Sequence, residues 1–315
     1  MLETANSTDS KKAISRALVT GAGGFIGTSL ITKLVREGVF VIAVGHRPFE
    51  LPVSCRKEIL DLSCPGALDP FLTDDTTIFH LAARASVPQS VEDPRLDFSI
   101  NLANTFEVLE SARTAKAKVI FPSTASIFDS TNPLPLSERG IVRPSSPYGA
   151  SKAACEAYCF AYSHCYNVDI RIVRLFSVYG VGMKQFAIYD IIKKIEKTSA
   201  EISIVGDGSQ IRDYLYIDDC IEGLITICQY GKSGEDYHLA DGNPVTILEL
   251  TKKIASLMGV PDIPIISSKE NRRGDTQWFS NVSKIRQLGF HPKTALQEGL
   301  VKTIAWVKQK ETPLF

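Results

Sequence analysis

The sequence lacks the features that would direct it to nucleic acid, to a membrane or to a disulfide-stabilised fold. Its 35 Lys and Arg residues are balanced by 35 Asp and Glu residues, and no basic stripe interrupts that balance, so we expect no nucleic-acid partner. No apolar run approaches the length of about 18 residues that a membrane helix needs, which favours a cytoplasmic protein without membrane contact. The 7 cysteines include no CxxC pair, so free thiols are favoured over disulfides or a metal site.

The first 13 residues are polar and contain no apolar stretch of the kind found in signal peptides. We expect residues 1–13 to form a flexible tail. The chain that follows is long enough for one large or two moderate domains, and its 44% hydrophobic content supports a substantial core.

A glycine-rich segment, GAGGFIG at residues 21–27, follows an apolar run that is typical of a central parallel strand. In that context the first glycine permits a tight turn, the second lets backbone N–H groups approach a pyrophosphate, and the third lets the next helix pack closely on the sheet. The positive end of the helix dipole would face the phosphates. The segment therefore predicts a dinucleotide site, with cofactor contacts from Gly21, Gly24, Phe25, Ile26 and Gly27.

Strand-like and helix-like patterns alternate over the first half of the chain, which predicts an α/β, Rossmann-like, doubly wound parallel sheet. The expected strands are 15–20, 39–44, 57–60, 77–81, 118–123 and 169–174, and the expected helices are 25–36, 95–115 and 148–166. We assign residues 14–176 to a dinucleotide-binding domain. Residues 177–315 would form mainly a smaller C-terminal α/β substrate lobe, from which segments can return to the first domain.

Tyr148 and Lys152 are spaced as i and i+4, so a helix would place both on one face, with their Cβ atoms about 6 Å apart. A nearby ammonium favours the phenolate and is expected to lower the tyrosine pKa, which suits proton transfer. Thr124 ends an expected strand and would deliver a hydroxyl to the same crevice. These three residues are the predicted catalytic set, and no metal site is expected.

Together these segments resemble the extended short-chain dehydrogenase/reductase superfamily, in its nucleotide-sugar epimerase/dehydratase branch. The resemblance covers residues 14–309 and depends on an ordered series of motifs: TGAGGFIG (20–27), Asp61-Leu62, HLAA (80–83), Ser123-Thr124, YGASK (148–152), RLFSVYG (174–180), RDYLYIDD (212–219) and RRGD (272–275). It implies a nicotinamide cofactor, NAD or NADP, and a nucleoside-diphosphate sugar as substrate.

The resemblance also implies roles for individual positions. Thr124, Tyr148 and Lys152 fall at the catalytic triad of the family. The cofactor positions beyond the glycine loop are Asp61, Leu62, Leu81, Ala82, Ala83, Ser123, Tyr148 and Lys152. The substrate positions are Ser90, Ser177, Arg212, Arg272 and Asp275, and the arginine guanidinium groups suit the geometry of phosphate. Family members commonly form homodimers through two helices of each subunit, for which 95–115 and 148–166 are the candidates.

Two departures from the family pattern bear on the reaction. An NAD enzyme usually has an acidic residue after the second strand, whereas this chain has His46 and Arg47 there. Arg47 can pair with a 2′-phosphate, which slightly favours NADP over NAD. The family's dehydratases have Asp-Glu after the catalytic threonine, but this chain has Ala125 and Ser126, which cannot act as a carboxylate acid or base.

The leading hypothesis from the sequence is therefore a nucleoside-diphosphate-hexose 4-epimerase that acts through a 4-keto intermediate. The alternative is an NADPH-dependent reductase of nucleotide-4-keto-6-deoxysugars, because the same three residues serve both reactions. A non-catalytic, cofactor-binding sensor on the same fold is a third hypothesis, and the intact catalytic set argues against it.

Overall fold

The computed structural model describes residues 14–198, 200–268 and 277–309. The predicted tail, residues 1–13, lies outside the described residues. None of the described helices is both long and apolar enough to cross a membrane.

A seven-stranded parallel sheet forms the centre of the fold, as the alternating pattern predicts. Its strands are, in spatial order, β11 (Glu235–Leu239), β6 (Ile170–Leu175), β5 (Lys118–Thr124), β4 (Thr76–His80), β1 (Arg16–Thr20), β2 (Phe40–Gly45) and β3 (Arg56–Ile59). The inner strands are buried along almost their full length, because helices cover both faces of a doubly wound sheet. The chain order reverses beside β1, which places a crevice at the carboxyl end of that strand.

Helices flank the sheet on both of its faces. They are α1 (Phe25–Arg36), α2 (Val87–Glu92), α3 (Pro94–Phe98), α4 (Asn104–Ala115), α5 (Pro147–Tyr166) and α7 (Ile217–Tyr230). Leu30 and Leu34 of α1 belong to the core on one face, and Leu109 of α4 and Cys155 of α5 belong to the core on the other. The sequence predicts one helix over 95–115, whereas the structure has α3, a π-helical turn at Ser99–Ala103 and α4 in succession.

The smaller lobe contains short strands and helices that follow β6. They are β7 (Ser177–Tyr179), α6 (Phe186–Lys197), β8 (Ile202–Val205), β9 (Ile211–Arg212), β10 (Tyr214–Tyr216), β12 (Val245–Thr246), α8 (Ile247–Leu257), β13 (Ile265–Ser268), α9 (Ser283–Arg286) and α10 (Leu296–Lys308). Three two-stranded pairings, β10 with β7, β12 with β9 and β13 with β8, organise these segments.

One segment of the second half returns to the central sheet. After α7, β11 pairs in parallel with β6 and becomes the edge strand of the sheet. Gly223 of α7 packs directly on the Leu239 side chain of β11. The boundary at residue 176 therefore divides the chain in sequence but not in space, because residues 217–239 pack with the first domain.

Candidate active site

The glycine loop has the geometry that a pyrophosphate requires. Gly21 has a φ of +68°, and a Cβ built there would lie 2.7 Å from the backbone nitrogen of Ala82. A Cβ at Gly27 would strike the carbonyl oxygen of Gly21. Gly24 is the N-cap of α1 and provides no side-chain cap, so the start of the helix is open to an anion. A nicotinamide dinucleotide therefore fits this loop. A larger residue at Gly21 or Gly27 would clash with the backbone and distort the loop.

The end of β2 carries no acidic side chain that could bind a ribose 2′-hydroxyl. Arg47 is exposed two residues after this strand and forms no ion pair within the described ranges. Asp61 is exposed, and its Oδ1 accepts hydrogen bonds from the backbone nitrogen and the hydroxyl of Ser63, which lower its pKa. Leu62, beside it, is buried. These residues follow β2 and β3 at one end of the sheet, and their contact with the adenosine of a cofactor stays a prediction.

The opposite side of the cofactor crevice is formed by the ends of β4 and β5. Leu81 and Ala82 are half-buried, and Ala83 is exposed in the segment that follows β4. Ser123 is buried near the end of β5, and its hydroxyl finds no hydrogen-bond partner among the described residues. An unpartnered buried hydroxyl at this position is consistent with a polar group supplied by a bound cofactor.

The predicted catalytic residues come together because β5 and α5 meet at the carboxyl edge of the sheet. The Ser146 hydroxyl caps α5 by accepting a hydrogen bond from the Gly149 nitrogen at 3.1 Å, and Pro147 occupies the first turn. This start places Tyr148 in the first turn of α5, where its hydroxyl is hydrogen-bonded to Thr124. Lys152 follows one turn later, and its Nζ lies 4.0 Å from the ring centroid of Phe121.

The pKa values differ from the sequence prediction. Burial raises the pKa of Tyr148 to about 12, and the hydrogen bond with Thr124 opposes that rise. Burial also lowers the pKa of Lys152, although acidic neighbours that include Asp97 and Glu156 raise it. The prediction of a lowered tyrosine pKa is therefore wrong, because the loss of hydration on burial outweighs the hydrogen bond with Thr124.

A buried hydrogen-bond chain that the sequence did not indicate supports the crevice. The Ala82 nitrogen donates to the hydroxyl of Thr20, which lies 2.8 Å from Nδ1 of His80. The other ring nitrogen, Nε2, lies 3.0 Å from the hydroxyl of Thr105, and this hydroxyl donates to the Asn101 carbonyl. When His80 is neutral with its proton on Nε2, each group in this chain donates to the next, from the Ala82 nitrogen to the Asn101 carbonyl, and every group has a partner. Burial lowers the pKa of His80 to about 3, which agrees with that form.

Two of the substrate positions lie next to each other in the structure. Ser177 is half-buried, and its backbone nitrogen donates to the Asp213 carbonyl at 3.1 Å, which brings it beside Arg212. The carboxylate of Asp213 accepts hydrogen bonds from the backbone nitrogens of Asp241 and Gly242, and burial raises its pKa to about 6. Asp213 thus joins the RDYLYIDD segment to the loop after β11, a role that the motif alone did not indicate.

The remaining substrate positions are Ser90, Arg272 and Asp275. Ser90 is fully buried, and its hydroxyl donates to the carbonyl of Val87 in its own helix, at 2.7 Å. Its contact with a diphosphate stays a prediction. Arg272 and Asp275 lie outside the described residues. Within the described ranges, no group of three or more His, Cys, Asp or Glu side chains is arranged to hold a metal ion.

Comparison with known proteins agrees with this arrangement. The fold and the glycine loop define a dinucleotide-binding α/β protein with a tyrosine–lysine pair at its crevice. Residues 17–240 match the NAD dependent epimerase/dehydratase family, and the chain belongs to that family.

Relatives of this chain cover it almost completely. A UDP-glucose 4-epimerase from Mycolicibacterium smegmatis is 31% identical over 94% of this chain and 99% of the relative. A UDP-glucuronate 4-epimerase from Thermodesulfobacterium geofontis is 31% identical over 93% of this chain and 96% of the relative. The solved structure of a Thermotoga maritima UDP-glucose 4-epimerase with UDP-glucose superposes with a TM-score of 0.86 at 26% identity, over 94% of this chain and 99% of that one.

Proposed function

We propose that this protein is a nucleoside-diphosphate-hexose 4-epimerase. The observation that carries the proposal is the convergence of Thr124, Tyr148 and Lys152 at the carboxyl edge of the sheet, opposite the glycine loop. The 4-epimerase relatives support the same reaction. Ala125 and Ser126 provide no carboxylate next to Thr124, which weighs against elimination of water from the sugar.

In the proposed reaction the residues act on the C4 hydroxyl of the hexose. Tyr148 accepts the hydroxyl proton and later returns it, while Thr124 orients the sugar oxygen by a hydrogen bond. Lys152 provides a positive charge one helical turn from the phenol, which favours the phenolate and opposes the effect of burial. A bound nicotinamide supplies the hydride acceptor and donor. The 4-keto sugar must turn within the site so that hydride returns to its opposite face.

The alternative reaction is the reduction of a nucleotide-4-keto-6-deoxysugar. The exposed Arg47 and the lack of an acidic side chain at the end of β2 favour this candidate, because a reductase takes up NADPH in each cycle. The same proton transfer by Tyr148 would then run in one direction only.

We propose that the cofactor site accepts NADP as well as NAD, with Arg47 as the residue that contacts the 2′-phosphate. The family description names NAD, whereas the residues after β2 suit a phosphate. Titration of the cofactor-free protein with NADH and NADPH tests this proposal. If Arg47→Gln weakens NADPH binding about tenfold and leaves NADH unchanged, Arg47 has that role; equal effects on both would exclude it.

We propose that the protein is a homodimer that joins through α4 and α5 and the segment before them. Apolar and aromatic side chains remain exposed on these helices, which is unusual for a surface that faces water: Val91, Leu96, Phe98, Phe106, Tyr158, Phe160 and Tyr166. Light scattering should give a dimer mass for the wild type and a monomer mass for Phe160→Asp. Val301→Asp, at a still more exposed apolar residue on α10, should remain dimeric.

We also propose a cytoplasmic location. All seven cysteines are free, and four of them, Cys155, Cys159, Cys220 and Cys228, are buried in the core. Structural thiols of this kind are usual in a reducing compartment.

The experiment that tests the reaction offers the purified protein a panel of UDP-glucose, UDP-N-acetylglucosamine, UDP-glucuronate and dTDP-glucose. An epimerase converts one of them to its 4-epimer without net cofactor consumption, and a deuterium placed at C4 remains in the product. Consumption of NADPH on a 4-keto-6-deoxysugar nucleotide, with no epimer formed from the panel, would instead establish the reductase.

A further inference from the structure

Asp97 is a fully buried carboxylate between the cofactor crevice and the catalytic helix. It lies on α3 with no exposed surface, and it accepts hydrogen bonds from the Ser151 hydroxyl at 2.6 Å and from Nδ2 of Asn101 at 2.9 Å. Ser151 immediately precedes Lys152 on α5. A buried carboxylate is costly unless donors surround it, so this position is closely specified by its partners.

The partners of Asn101 connect Asp97 to the segment after β4. Oδ1 of Asn101 accepts a hydrogen bond from the Arg84 backbone nitrogen at 2.8 Å, and Nδ2 also lies 3.3 Å from the Arg84 carbonyl. Arg84 follows Ala82 and Ala83, which line the crevice. The side chain of Asn101 therefore holds the backbone of this segment through two hydrogen bonds.

Two sets of partners fix the orientation of the Asn101 amide: the carboxylate of Asp97, and the N–H and C=O groups of Arg84. An ionised carboxylate only accepts hydrogen bonds, so it requires the NH₂ group of Asn101 to face it. That requirement leaves Oδ1 directed toward the Arg84 nitrogen, which is a donor. A neutral amide at position 97 specifies this orientation less strongly, because one of its own two orientations would turn an NH₂ group toward the NH₂ group of Asn101.

We propose that Asp97 is a positioning residue that fixes the amide of Asn101 against the Arg84 backbone and joins that support to α5 through Ser151. The structural part of this proposal requires no assumption about the reaction. The effect of Asp97 on catalysis rests on the proposed function, because Asp97 would act through Tyr148 and Lys152.

Asp97 is one of several ionisable groups around Tyr148 and Lys152. Those that face Tyr148 or Lys152 come from α3, α5 and β4, and they are Asp97, Cys155, Glu156, Cys159 and His80. Asp97 raises the pKa of both Tyr148 and Lys152. His80 remains neutral across the working pH range, since burial lowers its pKa to about 3.

The first test measures amide hydrogen exchange at Arg84 in the cofactor-free protein. Asp97→Asn should speed this exchange about five- to tenfold, which corresponds to the loss of one hydrogen bond of about 1–1.4 kcal/mol. Ser151→Ala is the matched control, because it removes the other partner of Asp97 and leaves Asn101 in place. A folded Asp97→Asn protein with wild-type exchange at Arg84 would overturn the proposal.

The exchanged pair Asp97→Asn/Asn101→Asp tests the same point by rescue. Here the new amide can donate to the new carboxylate and accept from Ser151, while that carboxylate accepts from the Arg84 nitrogen. The pair should restore slow exchange at Arg84, even where Asp97→Asn alone does not fold. A pair that exchanges as fast as the single variant, or that does not fold, contradicts the proposed donor–acceptor pattern.

The consequence for catalysis is read from the pH dependence of turnover. Loss of the Asp97 charge lowers the pKa of Tyr148, so the acidic limb of the kcat/KM profile should move to lower pH in Asp97→Asn. Ser151→Ala keeps the charge and should keep the position of that limb. If the acidic limb does not move in Asp97→Asn, the proposed effect of the Asp97 charge on the pKa of Tyr148 is wrong. If the wild type is inactive on every nucleotide sugar, the proposed function fails, while the exchange measurements still decide the positioning role.

Discussion

The guanidinium of Arg174 contacts both carboxylate oxygens of Glu156, with Nε 3.0 Å from Oε1 and Nη2 2.7 Å from Oε2. Both side chains are buried, and Nη1 also donates to Asp236 at 2.6 Å. Glu156 lies one helical turn beyond Lys152, so this ion cluster fixes the distance between β6 and the catalytic helix.

Arg174→Lys should destabilise the protein by about 3 kcal/mol, because a lysine cannot form the paired contact and leaves buried carboxylates without a donor. Urea unfolding at neutral pH measures the change. Arg113→Lys is the control: Arg113 makes the same paired contact with Glu110, but at the surface. That variant should lose about 1 kcal/mol or less. Equal losses in the two variants would refute a special role for the buried cluster.

Tyr148→Phe should lower kcat by roughly 10²- to 10⁴-fold, since it removes the group that transfers the proton. Cofactor binding and the unfolding free energy should change little, because the phenol ring stays in place. Turnover is measured on whichever nucleotide sugar the wild type converts. Tyr158→Phe, at an exposed tyrosine on the same helix, should retain full activity. A cofactor-dependent function that survives Tyr148→Phe would favour a sensor over an enzyme.

Much of the fold could be predicted from periodicity because the elements concerned are long and regular. The bounds of α1 agree with the sequence pattern, and those of α5 and β5 agree with it to within one residue. β11 was not predicted, since its sequence EDYHL begins with two acidic residues and contains no continuous apolar run, and its pairing partner, β6, lies far earlier in the chain. The π-helical turn within 94–115 was missed too, because one extra residue per turn hardly changes a helical pattern.

The candidate site shows the same contrast between local and long-range information. The i, i+4 spacing of Tyr148 and Lys152 is local, so the sequence predicted it. The pKa of Tyr148 depends on how many distant segments cover it, and the sequence carries no direct measure of that burial. Asp97 was also missed, because a carboxylate in an amphipathic helix normally faces water. Its partners become visible only when α3 packs against α5.

Gly21→Ala and Gly38→Ala separate backbone strain from steric closure of the cofactor loop. Both glycines have a positive φ, +68° and +82°, so an alanine costs about 1 kcal/mol at either position. Gly38 has open space where the Cβ would lie, whereas Gly21 abuts the Leu81–Ala82 backbone. Only Gly21→Ala should therefore abolish NADH binding in a fluorescence titration. Unchanged binding in that variant would exclude the loop as the pyrophosphate site.

His80 should make the stability of the protein depend on pH. Its pKa is about 3 in the folded protein, against 6.5 for a histidine in an unfolded chain. The unfolded state therefore binds a proton that the folded state does not, and stability is lost as pH falls from about 6.5 toward 3, at up to about 1.4 kcal/mol per pH unit. His238, whose pKa burial also lowers to about 3, acts in the same direction. Asp213 opposes them between about 6 and 3.8, because its pKa is raised on folding.

Urea unfolding of the cofactor-free protein between pH 4.5 and 7.5 measures this dependence. His80→Asn should lower stability at pH 7, because it breaks the chain from Thr20 to Thr105, and it should flatten the slope below pH 6.5. His164→Asn, at an exposed histidine of α5, should leave both the stability and the slope unchanged. A slope in His80→Asn as steep as in the wild type would mean that His80 already carries a proton in the folded protein. The assignment of hydrogen-bond donors along the chain from the Ala82 nitrogen to the Asn101 carbonyl would then be wrong.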